Sequence, residues 1–232
     1  MSSFILVVCL AGVFSLAPFS MYLLWLAVLN RRGRPTVVSG AWDFAALVAG
    51  LSGFVLFGGG LLLTLLQSNA RFLMRGNFEA LRNAWGQEHL TWVTLVALYL
   101  VVVVGGAALT FAARRRSLAV YNVDPGQFEV TLAEIFDHVG RPAERRGNLW
   151  SAGVALCDLD PFPAGRAVTL RWLSDDLRLF QEVERHLRDA APSLGGGGEG
   201  PPARWCMSGA IGSLSIVVFC VVVLVFTYAR LG

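Results

Sequence analysis

Lysine does not occur in the 232-residue sequence, and all nineteen basic residues are arginines. Only three of the sixteen acidic residues lie outside residues 117–203. Uncharged apolar blocks fill the remaining sequence, and apolar residues make up 55% of the chain. Such blocks exclude an ordinary soluble domain, whose apolar residues recur periodically between polar ones. Arginine without lysine is typical of a GC-rich genome, and we expect a protein of a bacterial inner membrane.

The sequence also lacks the motifs of common catalytic sites. It contains no nucleophile elbow, phosphate-binding loop or dinucleotide fingerprint. The four cysteines show neither disulfide nor metal-ligand spacing, and only Cys157 stands away from the predicted membrane spans. They are Cys9, Cys157, Cys206 and Cys220. We therefore predict no catalytic, cofactor-binding or metal-ligating residue, no cofactor and no enzymatic activity.

Histidine is almost as scarce, with three residues scattered along the chain: His89, His138 and His186. His138 and His186 lie near the ends of two predicted helices, where a partial positive charge interacts favourably with the helix dipole. A capping role therefore explains them better than catalysis.

Charge is unevenly distributed along the chain. Residues 117–203 contain eight arginines and thirteen acidic residues, a net charge of −5, while the remaining residues sum to +8. Arginines beside membrane spans are signals for topology and lipid headgroups. Binding to nucleic acid requires a basic patch that neutralises phosphates, and the acidic region provides none. We therefore exclude a nucleic-acid partner.

Four apolar runs are long enough to cross roughly 30 Å of hydrocarbon as helices. These runs are residues 4–30, 41–67, 90–113 and 207–231. The first lacks a small-residue cleavage site and runs directly into arginines, so we interpret it as a retained span. The third is followed by three consecutive arginines, Arg114 to Arg116. The sequence thus predicts a membrane domain over residues 1–116, with three transmembrane helices, and a fourth span after a polar region.

Asp43 and a series of glycines are the unusual residues of the second span. A proton or ion relay would need Asp43 deep in the membrane, but it lies near the predicted edge, which favours an interfacial cap. Small residues let transmembrane helices approach closely, so we expect the glycines from Gly50 to Gly60 to pack against Gly105–Ala108 of the third span. A broken, substrate-binding helix is the alternative interpretation.

The segment 71–89 alternates arginines with aromatic residues. Phe78, Leu81 and Trp85 share one helical face, which is typical of an amphipathic helix lying in the membrane interface. A recognition loop is the alternative.

A soluble domain is predicted over residues 117–191. The run Leu118 to Val123 is typical of a strand, and Asp124 followed by Pro125 and Gln127 is a strong helix-start signal. The expected inner face of this helix comprises Phe128, Leu132, Ile135, Phe136 and Val139.

After this helix the pattern changes to the two-residue period of strands, including Val154–Leu159 and Ala167–Leu173. Asp160–Gly165, with Pro161 and Pro163, is expected to be the turn between them, so Asp158 and Asp160 are interpreted as turn residues rather than paired carboxylates. Ser174, Asp175 and Asp176 are then expected to cap a second helix, whose expected inner residues are Leu177, Phe180, Val183 and Leu187.

The predicted fold is therefore a membrane all-α protein with four transmembrane helices and a small α+β domain inserted between helices 3 and 4. The domain order is β-α-β-β-β-α, a ferredoxin-like sandwich by analogy, with both helices on one face of the sheet. Residues 192–206 are rich in glycine and proline and are expected to form a flexible tether.

Two functional classes are compatible with this organisation. The first is a membrane-anchored protein-interaction or regulatory module that displays an acidic domain at the bilayer surface to a protein partner. The alternative is a subunit of a transporter or channel complex, although the predicted spans contain no charged residue in their interiors. A homo-oligomer formed through the glycine-rich spans is a further expectation.

Seven arginines flank the spans on the domain side and four on the other, which predicts a multi-pass protein of the cell membrane with a cytoplasmic domain.

Overall fold

A computed structural model describes residues 2–31, 33–66, 79, 83, 89–194 and 201–231. The amphipathic segment predicted at 71–89 lies outside the described residues, apart from residues 79, 83 and 89, as does 195–200 of the predicted tether. The chain forms two compact units.

The described residues form six α-helices and six β-strands. The helices are α1 (Ser2–Arg31), α2 (Gly40–Leu66), α3 (His89–Arg114), α4 (Pro125–His138), α5 (Leu177–Ala190) and α6 (Pro201–Leu231). The strands are β1 (Thr36–Ser39), β2 (Ser117–Tyr121), β3 (Glu144–Arg146), β4 (Leu149–Ala152), β5 (Val154–Phe162) and β6 (Ala167–Trp172).

Four helices are long and apolar enough to cross a membrane, which confirms the expected class of multi-pass membrane protein. Within the described part of the chain they cover Ile5–Arg31, Gly40–Gly60, His89–Arg114 and Pro202–Ala229. Helix α6 begins at Pro201, six residues before the predicted start of the fourth span, so residues 201–206 are helical rather than part of a tether. Proline suits a first helical turn, because the N–H groups there have no partner within the helix.

The first unit comprises residues 1–23, 47–109 and 209–232. Here α1 and α2 approach each other so closely that a Cβ atom added at Gly53 would lie 2.1 Å from the Phe14 carbonyl oxygen. Two aromatic pairs border this contact, with ring centroids 5.8 Å apart for Phe14 and Phe57 and 5.6 Å apart for Phe19 and Phe54.

The glycines of α2 contact other groups than those expected. Gly53 faces the α1 backbone, and a Cβ atom at Gly59 would meet the ring of Tyr99, whose hydroxyl donates a hydrogen bond to the Val55 carbonyl. A Cβ atom added at Gly105 would have no described neighbour within 4 Å. The nearest neighbours of Gly53 and Gly59 therefore lie outside residues 105–108, which had been expected to pack against them.

The second unit comprises residues 24–46 and 110–208 and is built on a six-stranded antiparallel sheet in the order β1-β2-β6-β5-β4-β3. Strand β1 comes from the short connection between α1 and α2 and pairs with β2, with Val37 opposite Val120. Neither β1 nor β3 was expected. The element order also departs from the ferredoxin-like β-α-β-β-α-β, because α5 is followed by α6 and not by a strand.

Helices α4 and α5 pack on one face of this sheet and bury a single apolar core. Phe128, Leu132 and Phe136 of α4 are fully buried, as the sequence predicts, and the Asp124 side chain accepts a hydrogen bond from the Gln127 N–H at the helix start. In α5 the expected inner residue Leu177 is 47% exposed and Leu179 is buried instead. Leu177 is the first residue after the Asp176 cap, and the buried face of α5 comprises Leu179, Phe180, Val183 and Leu187.

Candidate functional site

The sheet has a second face that neither α4 nor α5 covers. Side chains alternate between the two faces of a strand, so the core residues Leu118 and Leu170 imply that their neighbours Ser117 and Arg171 point the other way. Ser117 and Asp158 both lie directly opposite Arg171, on the strands to either side of it. One row of polar side chains therefore crosses β2, β6 and β5.

Asp158 and Asp160 belong to this face, and the expectation that they are turn residues is wrong. Strand β5 continues to Phe162, and the turn contains only Pro163–Gly165, closed by a hydrogen bond from the Arg166 N–H to the Pro163 carbonyl. Pairing with β6 holds the extended conformation through Pro161, which lies opposite Val168. Pairing between β5 and β6 thus overrides the local preference of the prolines for a turn. As alternate residues of one strand, the two carboxylates point to the same side.

A cavity of about 270 Å³ opens on this face. Its lining carries two guanidinium groups and two carboxylates together with hydroxyl and amide groups. The polar lining residues are Arg114, Ser117, Asn148, Asp158, Asp160, Thr169 and Arg171.

The opposite charges in this lining do not neutralise each other. Arg171 stands directly across from Asp158 in the ladder, a position where oppositely charged side chains commonly pair. Among the described residues, however, the side chains of Asp158, Asp160 and Arg171 make no ion pair or hydrogen bond. The charges of these three residues are therefore available to a ligand, whereas the fourth charged residue of the lining, Arg114, also faces Asp43.

Asp43 connects this part of the sheet to the start of a span. It lies in the first turn of α2, where a negative charge suits the helix dipole. Its carboxylate accepts a hydrogen bond from the Tyr121 hydroxyl, and its other oxygen lies 3.9 Å from Nη1 of Arg114. The guanidinium of Arg114 also lies over the ring of Phe44, 5.5 Å from the centroid. Sequence reasoning placed Asp43 at the helix start but missed both partners, because they are distant in sequence.

Two of the three histidines are neighbours, contrary to their scattered appearance in the sequence. The rings of His138 and His186 meet edge to face, with centroids 5.2 Å apart. His138 is the last residue of α4, His186 lies within α5, and His89 begins α3. Among the described residues, no three histidine, cysteine or acidic side chains come close enough to hold a metal ion together.

Cys157 is fully buried between two tryptophans. It lies opposite Trp150 on one neighbouring strand and opposite Trp172 on the other. Burial raises the pKa of its thiol to about 12, with a smaller contribution from the negative charge of Asp158. A thiol that stays protonated at neutral pH is not a nucleophile, so this cysteine is a core residue.

The chain matches no protein-family model, no curated protein sequence and no solved structure. Its class therefore follows from the fold alone, which is that of a multi-pass membrane protein with an antiparallel sheet domain.

Proposed function

We propose that the protein is a membrane-anchored protein-interaction or regulatory module, in which the transmembrane helices hold a small acidic domain at the membrane surface. The observation that carries the proposal is the pairing of β1 with β2. The edge strand of the domain sheet comes from the connection between the first two spans. The hydrogen bond between Tyr121 and Asp43 is a second contact, which links β2 to the first turn of α2. The domain therefore includes the segment that connects the first two spans, as expected for a module that acts at the bilayer surface.

The pairing also supports the proposed topology. Residues 36–39 and 117–121 form one ladder, so they lie on the same side of any membrane that the spans cross. With four spans, we expect the connection between α1 and α2 and the domain to lie together on that side, with both ends of the printed sequence opposite.

We propose that this side is the cytoplasm. The arginines near the spans on the domain side are Arg31, Arg32, Arg34, Arg114, Arg115, Arg116 and Arg204, against Arg71, Arg75, Arg82 and Arg230 on the other. An excess of arginine marks the cytoplasmic side. A reporter that is active only in the cytoplasm should therefore give signal when inserted within residues 195–198 and none when fused after Gly232. The reverse pair of results would place the domain outside.

The partner surface of the domain can be tested by photo-cross-linking in cells. A photoreactive amino acid is introduced at Glu182, exposed on α5, or at Asn148, exposed beside the charged cavity. We expect a discrete protein adduct from at least one of these positions, because a surface module must contact its partner directly. The control position is Val218 of the fourth span, which is 56% exposed and should give no such adduct. Adducts at the domain positions no stronger than at Val218 would refute the proposal.

A subunit of a transporter or channel complex is the second candidate, and one observation favours it. None of the described residues in the most apolar 18-residue window of α3 is buried, which leaves their side chains open to helices of another protein or of a second copy. Homo-oligomerisation through the spans is the corresponding proposal. Disulfide cross-linking of a Leu109→Cys variant in membranes tests it, since Leu109 is 75% exposed.

A further inference from the structure

The charged cavity on the sheet face opposite α4 and α5 is the feature that the proposed module does not explain. We propose that it binds the headgroup of an aminophospholipid, with the phosphodiester at Arg114 and Arg171 and the primary ammonium at Asp158 and Asp160. This inference concerns a ligand of the domain and does not depend on the existence of a protein partner.

The balance of charge in the lining selects a zwitterion. Two guanidinium groups attract a phosphate, but two carboxylates in the same cavity would repel a purely anionic headgroup. Asp43, 3.9 Å from Arg114, adds a third negative charge beside the cavity. A ligand with one negative and one positive group satisfies both sets of side chains at once.

The chemistry of the lining also selects the kind of cation. A primary ammonium has three N–H donors, and the carboxylates of Asp158 and Asp160 are acceptors only. A quaternary ammonium, as in choline, has no N–H donor and is usually bound by aromatic rings. Among the residues that the structure describes, no aromatic side chain lines this cavity. Its lining therefore fits ethanolamine better than choline.

Position and size point to a lipid rather than to a free metabolite. Arg114 is the last residue of the third candidate span, so one wall of the cavity lies where phospholipid headgroups lie. The cavity volume of about 270 Å³ is below the roughly 300–1,000 Å³ of sites for drug-sized ligands, which suits a headgroup whose acyl chains stay in the bilayer.

Native mass spectrometry of the purified full chain in detergent tests the proposal, using phosphatidylethanolamine, phosphatidylcholine and phosphatidylglycerol in equal amounts. We expect one tightly held phosphatidylethanolamine, retained at least about tenfold better than the other two lipids. Asp160→Asn and Arg171→Gln should each reduce this retention about tenfold or more, because each removes a charged partner of the headgroup.

The matched controls are Asp137→Asn and Arg178→Gln, which change exposed residues of α4 and α5 and should leave retention unchanged. Circular dichroism confirms that each variant is folded. Equal retention of phosphatidylcholine, a preference for phosphatidylglycerol, or full retention of phosphatidylethanolamine in both cavity variants would overturn the proposal. Soluble phosphoethanolamine should compete only at much higher concentration; if it bound while the lipid did not, the lipid assignment would be wrong.

Discussion

The Tyr121 hydroxyl donates a hydrogen bond to the carboxylate of Asp43, a residue 78 positions earlier in the chain. The bond links β2 of the sheet to the first turn of α2. Arg114, the last residue of α3, lies 3.9 Å from the same carboxylate. Tyr121 of β2 and Arg114 of α3 therefore both approach the side chain of Asp43, which is only 17% exposed.

Replacing Tyr121 by phenylalanine should destabilise the protein by about 1.5–3 kcal/mol, because it removes a hydrogen bond to a charged, partly buried acceptor. For a chain of this size, each 1 kcal/mol corresponds to a fall in Tm of about 2–4 °C. Tyr228→Phe is the matched control, since Tyr228 is 82% exposed and should change Tm little. Thermal unfolding of the detergent-solubilised full chain measures both variants. Equal Tm values for the wild type and Tyr121→Phe would show that this hydrogen bond does not stabilise the protein.

The contact between α1 and α2 predicts that Gly53 tolerates no side chain. The added methyl group of Gly53→Ala would lie 2.1 Å from the Phe14 carbonyl oxygen and 2.5 Å from the Ser15 Cα, so the two backbones must separate. We expect a loss of folded protein or a strong fall in Tm. A Cβ atom added at Gly58 in the same helix has no described neighbour within 4 Å, so Gly58→Ala should be neutral or slightly stabilising, since alanine is the better helix former. If both variants behaved alike, this close contact would not be needed for folding.

Local signals in the sequence predicted much of this fold. Asp124 caps α4 as its position before Pro125 indicates, and the periodicity around Phe136 identified the buried face. What was missed depends on contacts between distant residues. Four residues, Thr36–Ser39, are too short a run to be recognised as a strand, and their pairing with β2 is visible only in three dimensions.

The candidate site was hidden for the same reason. The prolines beside Asp158 and Asp160 indicated a turn, whereas pairing with β6 makes both residues part of a strand and places them near Arg171. Neither this arrangement nor the contact between His138 and His186 leaves a periodic or spacing signal in the sequence.

Phe136 lies at the centre of the aromatic core and should be the most sensitive position of α4. Its ring centroid lies 5.9 Å from that of Trp150 and 6.5 Å from that of Trp172. Phe136→Ala leaves a cavity among these rings and should cost about 3–5 kcal/mol. Val130→Ala on the same helix is the control, because Val130 is 61% exposed. Chemical denaturation followed by tryptophan fluorescence reports both, and a cost below about 1 kcal/mol at Phe136 would contradict the packing described.

Cys157 should be unreactive in the folded protein, because its thiol pKa of about 12 keeps the thiolate population negligible at pH 8 and because the side chain is fully buried. Alkylation with iodoacetamide, measured by mass spectrometry, should modify Cys157 only after unfolding.

The ordinary pKa of the Cys157 thiol is 9.0, so the folded state binds the proton more tightly than the unfolded chain does. This contribution to stability is complete below pH 9 and is lost as the pH rises from 9 towards 12, by about 1.4 kcal/mol per pH unit. Cys157→Ala removes that dependence, so its Tm should fall less steeply with pH above 9 than the wild-type Tm. Parallel slopes for the two proteins, or rapid alkylation of the folded chain, would show that the thiol is accessible and titrates normally.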